Sequence, residues 1–268
     1  MSMQLSALAF DPATHPRKST RVAFGEALLE LGKSNPKVVA VSADTSRICC
    51  TLEFNQKYPE RGFNIGIAEQ NLIGIASGLA SCGLIPFAAS YAPFLQSRAI
   101  EQIRNDCAYT KLPVKIVAAA AGISMGTGGS THHSTEDLAI LRSIAHMTIV
   151  VPADAVAAYK LTFLIAEWPG PVWFRNGRDP EFLVYPETQE FEIGQAITLR
   201  QGSDATIIAC GNLVLHSLLA SDMLAQEGLR VGVMDMHTIK PLDKAAIIAA
   251  AKNTGRIITA EEHNVLGG

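Results

Sequence analysis

Short apolar runs alternate with segments of helical spacing along most of this chain, and that alternation restricts it to one broad architecture. The runs are V-V-A-V-S at 38–42, L-I-P-F-A-A at 84–89, V-K-I-V-A-A-A at 114–120, M-T-I-V-V-P at 147–152 and P-V-W-F-R at 171–175. Each is short and almost uniformly apolar, as a strand covered on both faces must be. Between them, helical patterns run from Ser19 or Thr20 to Gly32, from about Ile67 to Ser81, through R-A-I-E-Q-I-R-N-D-C-A-Y, through T-E-D-L-A-I-L-R, and through A-V-A-A-Y-K-L-T-F-L-I-A-E behind the capping Asp154. The spacing predicts an α/β protein made of doubly wound parallel sheets.

A second, shorter α/β unit follows, with strands T-I-I-A-C-G-N, V-G-V-M-D-M and R-I-I-T-A-E-E and the helix N-L-V-L-H-S-L-L-A-S-D-M-L-A. The polar, Pro-bearing stretch between the units predicts domains at 17–176 and 195–268 joined by a linker at 177–194. The 268 residues, 48% of them apolar, suffice for two cores. A net charge of −3 supplies no electrostatic reason for a nucleic-acid or anionic-membrane partner. Five cysteines without C-x-x-C spacing argue against a disulfide framework or a zinc site, and point to a reducing cytoplasm. Pro12, His15 and Pro16 break up any leader pattern.

Residues 70–97 contain no charge, and Glu69 stands at their edge. Their length admits a membrane span, but Asn71, Pro86, Pro93 and Gly83 favour a buried helix followed by a buried strand. Gly74 and Gly78, four residues apart on that helix, predict close packing against another backbone. Glu69 is either a carboxylate held in low dielectric or a first-turn acid favoured by the helix dipole, and the local pattern leaves both open. The loop G-I-S-M-G-T-G-G-S-T-H-H is no clean nucleotide motif. It reads as a flexible loop closed by a capping box, with Ser134 as cap and Asp137 three residues on. His132 and His133 precede that cap, at the carboxyl end of a strand where such sheets bind ligands. Arg21 opens a helix and Arg175 ends a strand, and either could meet an anion or simply water.

Together, F-N-I-G-I-A-E-Q-N, S-Y-A-P-F-L-Q-S-R-A-I-E-Q-I-R-N-D, L-P-V-K-I-V, G-G-S-T-H and V-V-P-A-D, in this order, resemble the C-terminal half of transketolases, most of all those split over two polypeptides. The resemblance spans residues 17–268 and implies a pyrimidine-binding domain followed by a transketolase C-terminal domain. It implies that Glu69 shares a proton with the aminopyrimidine ring of thiamine diphosphate, in surroundings that favour a shared proton over a solvated carboxylate. A two-carbon ketol unit then passes from a ketose to an aldehyde, with Glu69 and His132 catalytic. Tyr91 and Phe94 match positions that hold the pyrimidine, and Asp44 a carboxylate near the thiazolium. Arg21, Ser46, His132 and Arg175 match positions lining the substrate channel, the arginines suited to a sugar phosphate.

Departures from the family pattern carry as much meaning. No G-D-G with a downstream Asn occurs, so Mg²⁺ and the diphosphate would sit on a separate N-terminal transketolase subunit, in a two-plus-two complex. Gly128 stands where the family has an Asp that contacts substrate, and Ala120 where it has a substrate-binding His, which implies a non-standard sugar. Relatives continue beyond a segment like E-E-H-N-V-L-G-G, so the C-terminal domain is expected to be incomplete. The competing readings are the beta subunit of a 2-oxo-acid dehydrogenase decarboxylase component, a deoxyxylulose-phosphate synthase fragment, and a non-catalytic partner-binding subunit.

Overall fold

The computed structural model describes residues 12–268, so residues 1–11, weighed above for a leader, lie outside it. In chain order the first unit begins with β1 (Arg17–Lys18), α1 (Thr20–Ser34), β2 (Val38–Ser42), α2 (Leu52–Lys57) and β3 (Gly62–Asn64). It continues through α3 (Glu69–Ser81), β4 (Ile85–Tyr91), α4 (Ala92–Arg98), the single turn α5 (Ile100–Gln102) and β5 (Lys115–Ala119). Then come α6 (Asp137–Ser143), β6 (Thr148–Val150), α7 (Ala155–Glu167), β7 (Val172–Arg175) and β8 (Glu181–Phe182). The second unit holds β9 (Ile197–Arg200), β10 (Ala205–Ala209), α8 (Leu213–Gln226), β11 (Val231–Asp235), β12 (Thr238–Lys240), α9 (Lys244–Thr254) and β13 (Ile257–Ala260).

Every residue of β2, β5, β6 and β7 is buried, as the apolar runs require of strands with helices on both faces. The sheet order is β12-β6-β7-β5-β4-β2-β3, parallel except for β12. On one face, Phe24 and Leu28 of α1 and Leu161 of α7 bury Phe87, Val117 and Phe174. On the other, Leu72 and Ile73 of α3 and Leu95 of α4 pack with Ile116 and Trp173. The second sheet, β13-β10-β11-β9, is parallel apart from β9.

The units are less separate than the sequence pattern implies. Strand β12 leaves the second unit and pairs antiparallel with β6, closing an edge of the first sheet. Three residues carry no period, so the H-T-I-K segment is silent in the sequence. The stretch 177–194 is also tied down: β8 pairs with β1, and Asp154 accepts from the Val184 and Tyr185 N–H groups at 2.6 and 2.8 Å. The other oxygen of Asp154 caps α7 at the Ala157 N–H, 2.8 Å, as its position predicts.

One local expectation is met and several are corrected. The uncharged stretch is α3, a turn at Gly83 with φ +85°, and β4; among the described residues no helix is long and apolar enough to cross a membrane. A side chain at Gly74 or Gly78 would meet no atom within 4 Å, so their face of α3 is open rather than packed within this chain. R-A-I-E-Q-I-R-N-D-C-A-Y is not one regular helix: Ile103–Tyr109 widen into a π-helical turn, with Cys107 Sγ 3.2 Å from Ser77 Oγ of α3. Ser19 precedes α1 but gives its hydroxyl to the Arg178 carbonyl at 2.9 Å instead of capping. Ser134 does not cap α6; the helix starts later, at Asp137, and the Ser134 hydroxyl donates to Gln96 Oε1 at 2.8 Å. At the far edge, β13 leaves Ile258 half exposed, beside a groove of about 450 Å³ lined by Ile208, Met236, Ile247 and Ile257.

Candidate active site

The parallel sheet brings the carboxyl ends of β2, β4, β5 and β7 to one edge, where ligands bind in this architecture. Two of these strands run into non-glycine residues with left-handed backbone, Asp44 at φ 59° after β2 and Ala120 at φ 53° after β5. Strain of that kind concentrates at functional edges.

Glu69 is the first residue of α3 and only 3% exposed. Arg98, at the end of α4, donates to its Oε2 at 3.1 Å, and Ser90, next to the end of β4, offers its hydroxyl to Oε1 at 3.4 Å. The helix N-terminus adds favourable partial positive charge. Glu69 is therefore a paired, buried carboxylate and not a wet first-turn acid. It still lines a cavity of about 600 Å³, with Ile67, Ala68, Gln70, Asn71 and Arg98. Ile67 presents an apolar ledge there, 76% exposed.

Tyr91, Phe94 and His132 converge on one another. Their ring centroids lie 5.6 Å apart for Tyr91 and Phe94, 5.6 Å for Tyr91 and His132, and 5.1 Å for Phe94 and His132, all edge to face. The Arg98 guanidinium covers the Phe94 ring at 4.1 Å and so links this aromatic group to Glu69. Arg98 was invisible as a site residue, although its i+4 spacing from Phe94 on α4 is legible.

The remaining candidates are placed differently. Asp44 is exposed, and its amide and carboxylate both bond Asn64 at the end of β3, at 2.9 and 3.1 Å. Ser46 lies half-buried in the turn that follows. Arg21 gives Nε to the Arg178 carbonyl and a terminal nitrogen to the Ile48 carbonyl, each at 2.8 Å. Arg175, 5% exposed, bonds Asp137 at 2.8 and 3.2 Å, the Ser134 carbonyl at 3.2 Å and the Glu262 carbonyl at 2.9 Å. Burial alone would lower its pKa, but the Asp137 carboxylate more than offsets that and raises it. Neither arginine lines the cavity at Glu69; both are committed to protein acceptors.

The loop bearing His132 is closed at its base, where Gly122 and Ser134 exchange both backbone hydrogen bonds at 3.0 and 2.8 Å. A side chain on Gly128 would come within 2.7 Å of Met125 Cγ, so Met125 fills the room that a residue at 128 would need. For an aminopyrimidine, the residues fit: a buried carboxylate at a cavity mouth, an apolar ledge and aromatic edges. Among the described residues no group of three or more His, Cys, Asp or Glu could hold a metal ion.

A doubly wound sheet with such a carboxylate and aromatic group at its carboxyl edge defines a pyrimidine-binding type of domain, and similarity to known proteins agrees. Residues 17–180 match the transketolase pyrimidine-binding domain family, and residues 194–268 match the transketolase C-terminal domain family. The chain belongs to the transketolase family. It is 42% identical over 253 residues to a Methanocaldococcus jannaschii protein named as a transketolase C-terminal section, covering 94% of this chain and 79% of that one. It is likewise 42% identical over 249 residues to one of the subunits of the apulose-4-phosphate transketolase of Phocaeicola vulgatus, covering 92% of this chain and 80% of that one. Its fold superposes with a TM-score of 0.86 on a split-gene transketolase described as an inactive beta4 tetramer, at 44% identity, covering 93% of this chain and 81% of that one.

Proposed function

We propose that this chain is the pyrimidine-binding subunit of a thiamine-diphosphate-dependent transketolase divided over two polypeptides. The observation that carries this reading is Glu69, 3% exposed and ion-paired, yet lining an open cavity. When bound, thiamine diphosphate supplies the electron sink that lets the bond beside a ketose carbonyl break. Glu69 would hold a proton shared with the cofactor's aminopyrimidine ring, with Ser90 and Arg98 fixing the carboxylate's two oxygens. Tyr91 and Phe94 would hold that ring, and Asp44, at the end of β2, would lie toward the thiazolium side of the cofactor.

His132 packs edge to face against both rings. Thr131 Oγ1 lies 3.0 Å from its Nδ1, which leaves Nε2 to meet a substrate oxygen. Ser46 is assigned to a substrate hydroxyl. Arg21 and Arg175 are spent on protein acceptors, so their assignment is to holding the channel wall rather than to gripping phosphate directly.

Mg²⁺ and the diphosphate are assigned to a partner subunit, in a two-plus-two assembly. The inactivity named for the beta4 tetramer of a similar chain supports a partner of that kind. Gly128 and Ala120 support a non-standard ketose or aldehyde, branched or otherwise modified. The relative named for apulose-4-phosphate lies in the same direction.

The test is hydrogen–deuterium exchange at C2 of thiamine diphosphate with Mg²⁺, with this chain alone and with a candidate partner carrying G-D-G. Acceleration by the mixture only, abolished by Glu69→Ala, is the expected result. A partner that binds without accelerating exchange would replace this reading with a non-catalytic, partner-binding role.

A further inference from the structure

The loop between β5 and α6 is rich in residues of wide conformational freedom. It carries four glycines between positions 122 and 129, and Ile123 at its start is 57% exposed. Yet His132 sits edge-on to two rings, a placement that a free loop of this composition would not keep. The Gly122 and Ser134 bridge closes the base without fixing its position in space. Arg178 ties down the Ser124 hydroxyl and the Met125 carbonyl, at 3.3 Å each, and the other unit adds a second set of anchors at the base.

Beyond β13 the chain runs across the base of this loop and grips both legs. On the first leg, Glu262 Oε1 accepts the Ile123 N–H at 2.8 Å. The fit is close: a side chain on Gly122, whose φ is +64°, would fall 2.2 Å from the Glu262 carboxyl carbon. On the second leg, Arg175 donates both to the Ser134 carbonyl at 3.2 Å and to the Glu262 carbonyl at 2.9 Å. Two residues on, the backbone and side-chain N–H groups of Asn264 donate to the Thr135 carbonyl at 2.8 and 2.7 Å. His263 Nε2 accepts the Ala139 N–H of α6 at 3.3 Å.

We infer that Glu262 is a positioning residue, which holds the loop bearing His132 against Tyr91 and Phe94 through the Ile123 amide. The inference rests on the transketolase reading for its consequence in turnover, and on geometry alone for the loop. It gives the C-terminal unit a task in the site although none of its residues lines the Glu69 cavity. Only an acceptor is needed at Oε1, so a glutamine serves and an alanine does not.

The experiment compares Glu262→Ala and Glu262→Gln in the assembled two-subunit enzyme, and reads amide exchange of the full chain by mass spectrometry. In Glu262→Ala, peptides covering 122–135 exchange faster, while those of α3 and β4 keep wild-type protection. The kcat/KM for the ketose donor falls about tenfold, as misplacement of a substrate-facing group implies, and cofactor C2 exchange is unchanged because Glu69 is untouched. Glu262→Gln restores both loop protection and kcat/KM. Wild-type loop exchange in Glu262→Ala, or a Glu262→Gln as impaired as the alanine, overturns the inference. If Glu262→Ala does not fold, Glu262→Gln decides alone, and exchange at 122–135 faster than wild type in it overturns the inference. An assembly without transketolase activity would defeat the functional reading alone, since loop exchange is read without turnover.

Discussion

Arg98 donates to Glu69 at 3.1 Å while lying 4.1 Å over the ring of Phe94. One half-exposed guanidinium thus orients the carboxylate and backs the aromatic group. Its removal leaves the buried Glu69 carboxylate with Ser90 as its remaining partner, so Arg98→Ala is expected to cost about 1–3 kcal/mol of unfolding free energy. Cofactor C2 exchange in the assembled enzyme is expected to fall about tenfold, and about a hundredfold or more in Glu69→Gln. Urea titration and NMR exchange measure the two effects.

The Arg175 and Asp137 pair is the opposite case. Both side chains are buried, at 5% and 0% exposure, and Trp173 also donates to Asp137 at 3.2 Å. Asp137→Ala leaves a buried guanidinium without its carboxylate and an indole N–H without its acceptor. The expected loss of stability is about 3–5 kcal/mol, read from the urea midpoint.

A pH dependence follows from Asp235. Burial pushes its carboxyl up from 3.8 to about 8, with Tyr185 donating to it at 2.7 Å. Between these values the folded protein keeps a proton that the unfolded chain has lost, so its contribution is full below about 4 and disappears as pH rises toward about 8. Asp235→Asn retains an acceptor for Tyr185 and removes this dependence. The stability of the variant relative to the parent is expected to grow between pH 5 and about 8 and to level off above, by urea denaturation at each pH. A constant difference would refute the buried protonated carboxyl.

Gly128→Asp alone is expected not to create efficient use of xylulose 5-phosphate, because Met125 Cγ would lie 2.7 Å from the new Cβ. Pairing it with Met125→Ala frees that room. Donor kinetics on the single and double variants test whether Met125 guards the specificity of the loop.

The architecture was legible because it follows from local chemistry. Parallel strands buried on both faces must be short and apolar, and V-V-A-V-S or V-K-I-V-A-A-A can be little else. Asp154 was readable as a cap for a similar reason, since the bond it makes is three residues away. Family resemblance proposes Glu69, Tyr91, Phe94 and His132 for one site; that the three rings meet, with Arg98 linking them to Glu69, is readable only in the structure. Ser134 shows the limit: its spacing to Asp137 suits a capping box, yet Gln96, 38 residues away, takes the hydroxyl instead.

The sequence by itself determined the order of the long buried strands and of the main helices between them, the two-unit plan and the carboxylate at the head of α3, all properties of neighbours along the chain. Tertiary structure alone decided that β12 crosses into the first sheet, that Arg175 spends its donors on Asp137 and two carbonyls, and that Glu262 reaches the Ile123 amide from 139 residues away. Those choices depend on which buried polar groups meet once the sheets have packed. Each must find a partner there, and no local pattern records which one is within reach.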